Sequence, residues 1–260
     1  MLMDIFTSPE FWIFCGVGFL AQLIDGALGM AYGVVCIAVL SSLGVPPAAA
    51  SAVVHAAEVF TTATAATSHA AHKNIDLRLF LRLAPAGVLG GVIGAYILTA
   101  APKHIIAPLL GGYLALVGVY LFLRAFRRIE VPNPQTKWAA PLGAVGGFLD
   151  SWGGGWGPIV ASTLMSGGHA PRRVVGTVSA AEFFLASAIS ATFLVALLRG
   201  EMPMNLRTYL VEVAGLVVGG LAAAPLAGFV ARIAPARHLT IAVALLVLSL
   251  AGWQLYRAFA

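Results

Sequence analysis

Residues 18–33 read GFLAQLIDGALGMAYG, and residues 143–160 read GAVGGFLDSWGGGWGPIV. Each stretch begins apolar, meets one aspartate, Asp25 or Asp150, and breaks into glycines before apolar residues resume. The flanking runs, 11–24 with 31–43 and 139–149 with 157–165, fall short of the ~20 residues a helix needs to cross the hydrocarbon. Each pair is expected to form a helical hairpin that dips to mid-membrane and returns. Its irregular tip must then be sheltered by protein or line a wet cavity.

The rest of the chain supplies the membrane context. Its 260 residues are 60% hydrophobic and 10% charged, with a mean hydropathy of +0.94. Soluble domains carry about 25% charged residues, so an ordinary soluble globule is excluded. Six further apolar runs, 48–71, 79–100, 105–123, 174–198, 209–231 and 239–256, approach or exceed spanning length. The glycines and prolines are scattered through these runs, as transmembrane helices tolerate. The net charge of +5 comes from cations in short linkers, so it reports topology and no nucleic-acid partner is expected. Cys15 and Cys36 sit inside apolar runs without a CxxC pattern and read as buried thiols. No Lys or Arg precedes Lys73, so the first run lacks the basic start of a cleavable signal and is expected to stay in the protein.

The order of short and long runs occurs twice, and the residues repeat with it. Asp25 matches Asp150 at an offset of 125, and Pro47, Ala56, Ala57 and Glu58 match Pro171, Ala180, Ala181 and Glu182 at 124. Gly90 and Gly91 match Gly219 and Gly220 at 129. The expected fold is an all-α polytopic membrane protein of two homologous, inverted repeats, residues 1–130 and 131–260. Each repeat has a short broken or re-entrant helix pair plus three long transmembrane helices. Placing the N-terminus outside leaves only Lys103, Arg199, Arg207 and Arg257 of the 15 cations external, which obeys the positive-inside rule. Reading each short pair as one broken crossing makes the halves parallel and the charge split 10 to 5, so the charges favour inversion modestly. Ten full crossings would give the same loop sides as the hairpins. The GG pairs at Gly90 and Gly219 lie mid-span and read as close helix packing.

Four acids, Asp25, Glu58, Asp150 and Glu182, stand inside or beside apolar runs, where a charge costs about 2.5–3.5 kcal/mol on insertion scales. They are packing residues, the aspartates accepting backbone N–H groups at the breaks, or they exchange protons during transport. His55 shares a helix face with Glu58, whereas Ser179 occupies the matching place in the second half. It is a proton relay, a positive charge for an anion, or a hydrogen-bonded core histidine. His69 and His72, beside Lys73, read as an interfacial pair. No Lys or Arg lies deep in a run. The returning arms, starting near Ala31 and Gly157, offer helix N-termini at membrane depth that can hold an anion. Gly29, Gly33, Gly153, Gly154, Gly155, Gly157, Ser151, Thr177 and Ser179 are the candidate binding residues, with Trp152 and Trp156 shaping the pocket. Asp25, His55, Glu58, Asp150 and Glu182 are the candidate proton-coupling residues.

With LGVPPAAASAVVHAAE at 43–58 and HAPRRVVGTVSAAEFF at 169–184, the chain resembles the sulfite exporter TauE/SafE permeases over essentially its whole length. The second Gly-rich copy matches the family's motif well; the first is poorer in glycine. The resemblance implies transport of sulfite, sulfonates or related sulfur-containing anions across the bacterial cytoplasmic membrane. It carries the site to Asp25, Gly29, Gly33 and Glu58, and to Asp150, Gly153, Gly154, Gly155, Trp156, Gly157, Pro158 and Glu182. The leading expectation is a proton-coupled secondary transporter exporting such an anion, with no cofactor and no structural metal. A cation or metal carrier or channel using the buried Asp, Glu and His residues is the alternative. An enzyme acting on a lipid or quinone ranks last, because no nucleophile, base and orienter stand at defined spacing.

Overall fold

The computed structural model describes residues 6–126, 138–166, 171–202 and 204–260. Every regular element among them is helical: α1 Pro9–Leu28, α2 Tyr32–Ser42, α3 Pro47–Ala71, α4 Leu77–Ala100, α5 Lys103–Phe126, α6 Ala139–Gly153, a π-helical turn Gly157–Ala161 leading into α7 Ser162–Ser166, α8 Pro171–Leu198, α9 Leu206–Ile233 and α10 Ala236–Phe259. The 130/131 boundary, the linker cations Arg127, Arg128 and Lys137, and His169 and Ala170 of the second motif lie outside the described residues.

By length and apolarity, α1, α4, α5, α8, α9 and α10 each contain a stretch long enough to cross a membrane. This corrects the expectation for the first run. The helix α1 starts at Pro9, where the Ser8 hydroxyl accepts the Phe11 N–H, and runs on through Asp25 to Leu28, giving 20 residues instead of a short arm. It continues past the acid because Gly26, Ala27 and Leu28 are compatible with helix, and it stops only at Gly29, whose φ of 70° suits glycine. The 25-residue α3 is too polar to count among the apolar spans, yet its first half is buried from Ala49 to Glu58. Other helices shield it from lipid, so its polar residues need partners within the protein rather than an apolar face.

Packing is crosswise. The first helix of each half lies against the fourth of the other, α1 on α9 and α6 on α4, while α3 meets α8 and α5 meets α10. Glycine makes the two swapped pairs close. Gly219 presses on the Cys15 carbonyl and Gly215 on Phe11; Gly90 presses on the Ala144 carbonyl and Gly147 on Gly87. A side chain at these points would meet backbone, which is the small-residue packing of membrane helices. Gly91 instead accommodates Leu185 and Ile189 of α8.

Both short arms double back. The α3 end, the α4 start and the α8 start share one side, where the Thr177 hydroxyl accepts the Asp76 N–H at 2.8 Å. The ends of α4 and α8 share the other side, around Tyr96, Thr99, Thr192 and Arg199. After α6, Val160 returns to lie against Gly146, and Ser162 reaches Arg124 at the end of α5. After α1, the Ala38 carbonyl of α2 accepts from Gln254, and Gly44 sits beside Arg257, both near the end of α10.

Candidate functional site

The two hairpin tips are built by the same local device. Gly29 and Gly154 both adopt φ 70°, and their N–H groups bond to the carbonyls of Asp25 and Asp150. Each aspartate then holds the returning arm. Asp25 Oδ1 accepts the N–H groups of Ala31 at 2.7 Å and Tyr32 at 3.2 Å, and Asp150 Oδ1 accepts that of Trp156 at 2.8 Å. These acids therefore accept backbone N–H groups at the breaks, one of the two roles open to them from sequence, and so occupy amides that an anion would otherwise use.

The tips touch. Gly157 packs on Met30 and Gly154 on Gly33. Beside them lies a cavity of about 190 Å³, lined by Gln22, Asp25, Gly29, Met30, Gly33, Gly154, Gly157, Ser179 and Glu182, and extending past Ala65 and His69 toward the start of α8. Drug-sized sites run to about 300–1,000 Å³, so this space suits a small ion with some of its water. A larger cavity of about 630 Å³ near Arg199 and Glu201 contains none of the four intramembrane acids.

Behind the cavity wall is a sealed polar cluster. His55 Nδ1 lies 2.8 Å from the Ser51 carbonyl, which only accepts, so Nδ1 carries a hydrogen. His55 Nε2 then faces Asp150 Oδ2 at 3.2 Å and Glu58 Oε2 at 3.8 Å. Asp150 is 1% exposed, Glu58 3% and His55 0%. Glu58 Oε2 has no hydrogen-bond partner among the described residues. A neutral imidazole would present a lone pair to a carboxylate, so at least one proton must be shared between Nε2 and Asp150. Glu58 lies within electrostatic reach of Asp150, Glu182 and Asp25, and its Oε1 abuts Gly33 on the cavity wall.

The family model for the sulfite exporter TauE/SafE matches residues 14–255. The chain belongs to the sulfite exporter TauE/SafE family. It is a multi-pass membrane protein, as its long apolar helices require, and its family places it among membrane transporters. A similar protein of Bacillus subtilis (strain 168), "Probable membrane transporter protein YtnM", is 39% identical over 229 residues, covering 85% of this chain and 74% of that protein. No solved structure matches this chain.

Of the residues singled out from sequence, this TauE/SafE chain brings Asp25, Gly29, Gly33, Gly154, Gly157, Pro158, Ser179 and Glu182 to one cavity. Asp150, His55 and Glu58 meet behind it. The others stand apart. Trp152 donates to the Gly94 carbonyl at 3.1 Å, and the fully buried Trp156 donates to the Val178 carbonyl at 3.2 Å. Gly153 and Gly155 face Tyr113. Ser151 Oγ donates to the Phe148 carbonyl, and its own carbonyl accepts from Ser51. Thr177 serves the Asp76 N–H. Gln22, His69 and Arg124 are among the residues that went unremarked as site residues. Gln22 and His69 line the cavity, although His69 read as interfacial from its place near a run end. Arg124 looked like a linker charge, yet its side chain extends to Met30 and Ser162. Its linear position gave no sign of that reach.

Proposed function

We propose that the chain is a secondary transporter that exports a small sulfur-containing anion, such as sulfite or a sulfonate, across the bacterial cytoplasmic membrane, coupled to protons. The observation that carries this reading is the small cavity shared by both hairpin tips and flanked by Asp25 and Glu182. An anion there is repelled by ionised acids and tolerated by protonated ones, so anion and proton occupancy are linked. The proton held between His55 and Asp150 has a path of polar neighbours through Glu58 to the wall at Gly33.

The halves act as inverted repeats that rock about the cavity, as carriers of this construction do. The hairpins support this: the first lies back toward the side where α8 ends, and the second toward the side where it begins. The charges agree. Lys73, Arg78, Arg82, Arg124, Arg172 and Arg173 belong to helix ends or linkers on one side, taken as cytoplasmic, toward which the cavity extends.

Sulfite efflux from proteoliposomes under an imposed pH gradient tests this, with Glu58→Gln and Glu182→Gln beside the wild type. Gradient-dependent efflux that either substitution flattens is the expected result. Unchanged gradient dependence in both removes the coupling role. A second reading, a cation carrier, rests on one observation: ligand atoms of His55, Glu58 and Asp150 all lie within 4.8 Å of one another. Metal-stimulated flux without sulfite transport would favour it.

A further inference from the structure

Arg124 stands where the two hairpins meet. Its Nη1 lies 2.9 Å from the Met30 sulfur, at the first tip, and donates to the hydroxyl of Ser162, on the returning arm of the second. We propose that Arg124 and Ser162 form an anion subsite at the inner edge of the cavity, opened when the Met30 side chain moves aside. The proposal rests on the anion-transport reading and supplies the positive charge which that reading lacks.

Guanidinium offers five N–H donors in a planar fork suited to two oxygens of one oxyanion. Here its partners are a thioether and a hydroxyl. No carboxylate among the described residues pairs with it. The half-buried guanidinium thus keeps its charge uncompensated by any carboxylate among the described residues, with donors of its fork left over for a further acceptor. Met30 is the movable part. It lines the cavity on one side and meets Arg124 on the other, and an unbranched methionine changes rotamer readily. Its displacement would join the guanidinium to the cavity. Ser162, fully buried and 3.5 Å from the same sulfur, then has its hydroxyl available to donate. The need for such a cation follows from the tips themselves, because Asp25 already takes the Ala31 and Tyr32 amides.

The ligand class is a small oxyanion with at least two oxygens able to meet the fork. Equilibrium binding of radiolabelled sulfite, thiosulfate and ethanesulfonate to the purified full chain, at constant ionic strength, tests the subsite. Arg124→Gln is expected to weaken binding about tenfold or more, since a charge-assisted bond is lost. Arg124→Lys should lose less, keeping the charge without the fork. Met30→Ala should bind as well as the wild type or better, because a competing acceptor is gone. Binding that survives Arg124→Gln within about twofold overturns the subsite alone. A wild type that binds none of the three anions overturns the anion reading and the subsite together. If Arg124→Gln does not fold by gel filtration, Ser162→Ala decides: a weakening of about threefold supports the subsite, and unchanged affinity overturns it.

Discussion

The two hairpins share a design and differ in what surrounds it. At the first tip, Asp25 is half-buried, gives one oxygen to two amides and borders the cavity with Glu182 and Ser179. At the second, Asp150 is sealed in, gives one oxygen to one amide and turns the other to His55. The third helix of each half sets the difference. It delivers His55 and Glu58 to one aspartate, and at matching positions brings Ser179 and Glu182 to the cavity edged by the other. The matching helices thus flank one open polar cavity and one sealed polar cluster, with Gly33 between them.

The largest test of this comparison strikes what the halves have in common. Leucine at Gly90 or at Gly219 forces a side chain into facing backbone. Each should cost about 3 kcal/mol and abolish recovery of monodisperse protein on gel filtration. Tolerance of either would show that the swapped pairs are not equivalent. Next, Asp150→Ala should lower stability by about 2–4 kcal/mol, since it leaves the buried Trp156 N–H and His55 Nε2 unpaired. Asp25→Ala, at a half-buried position on the cavity edge, should cost about 1 kcal/mol. Thermal unfolding in detergent reads the contrast, and equal losses would erase it.

The aspartates and glycines that break the runs announced both tips, because their chemistry is local: a left-handed glycine and an acid capping the amides beyond it. The juxtaposition of His55 with Asp150 was not readable, since it joins residues 95 positions apart through the packing of α3 against the second hairpin. The length of α1 was missed because Asp25 looked like a stop, whereas only Gly29 adopts the conformation that ends the helix. Trp152 and Trp156 drew attention as bulky residues near glycines, but their indole N–H groups already serve backbone carbonyls.

Smaller effects sharpen the comparison. His55→Ser makes the first half resemble the second. It should cost about 1–2 kcal/mol by stranding Asp150 Oδ2 and should weaken the pH dependence of sulfite flux; an unchanged profile would deny the sealed cluster its role. The smallest effect is expected at Trp152→Phe, which removes the bond to Gly94 for about 0.5–1.5 kcal/mol. Sulfite flux within about twofold of the wild type would agree with its position away from the chamber, and a larger fall would return it to the site.

The crosswise exchange of helices also has a cost during synthesis. The partner of α1 begins only at Leu206, so at about 5–20 residues per second the first helix waits roughly 10–40 s in lipid before α9 emerges. Throughout that interval the α1 face around Phe11 and Cys15, which later receives Gly215 and Gly219, meets acyl chains or the insertion machinery. A nascent chain cut between α5 and α6 would leave α1 and α4 each without the helix it packs against.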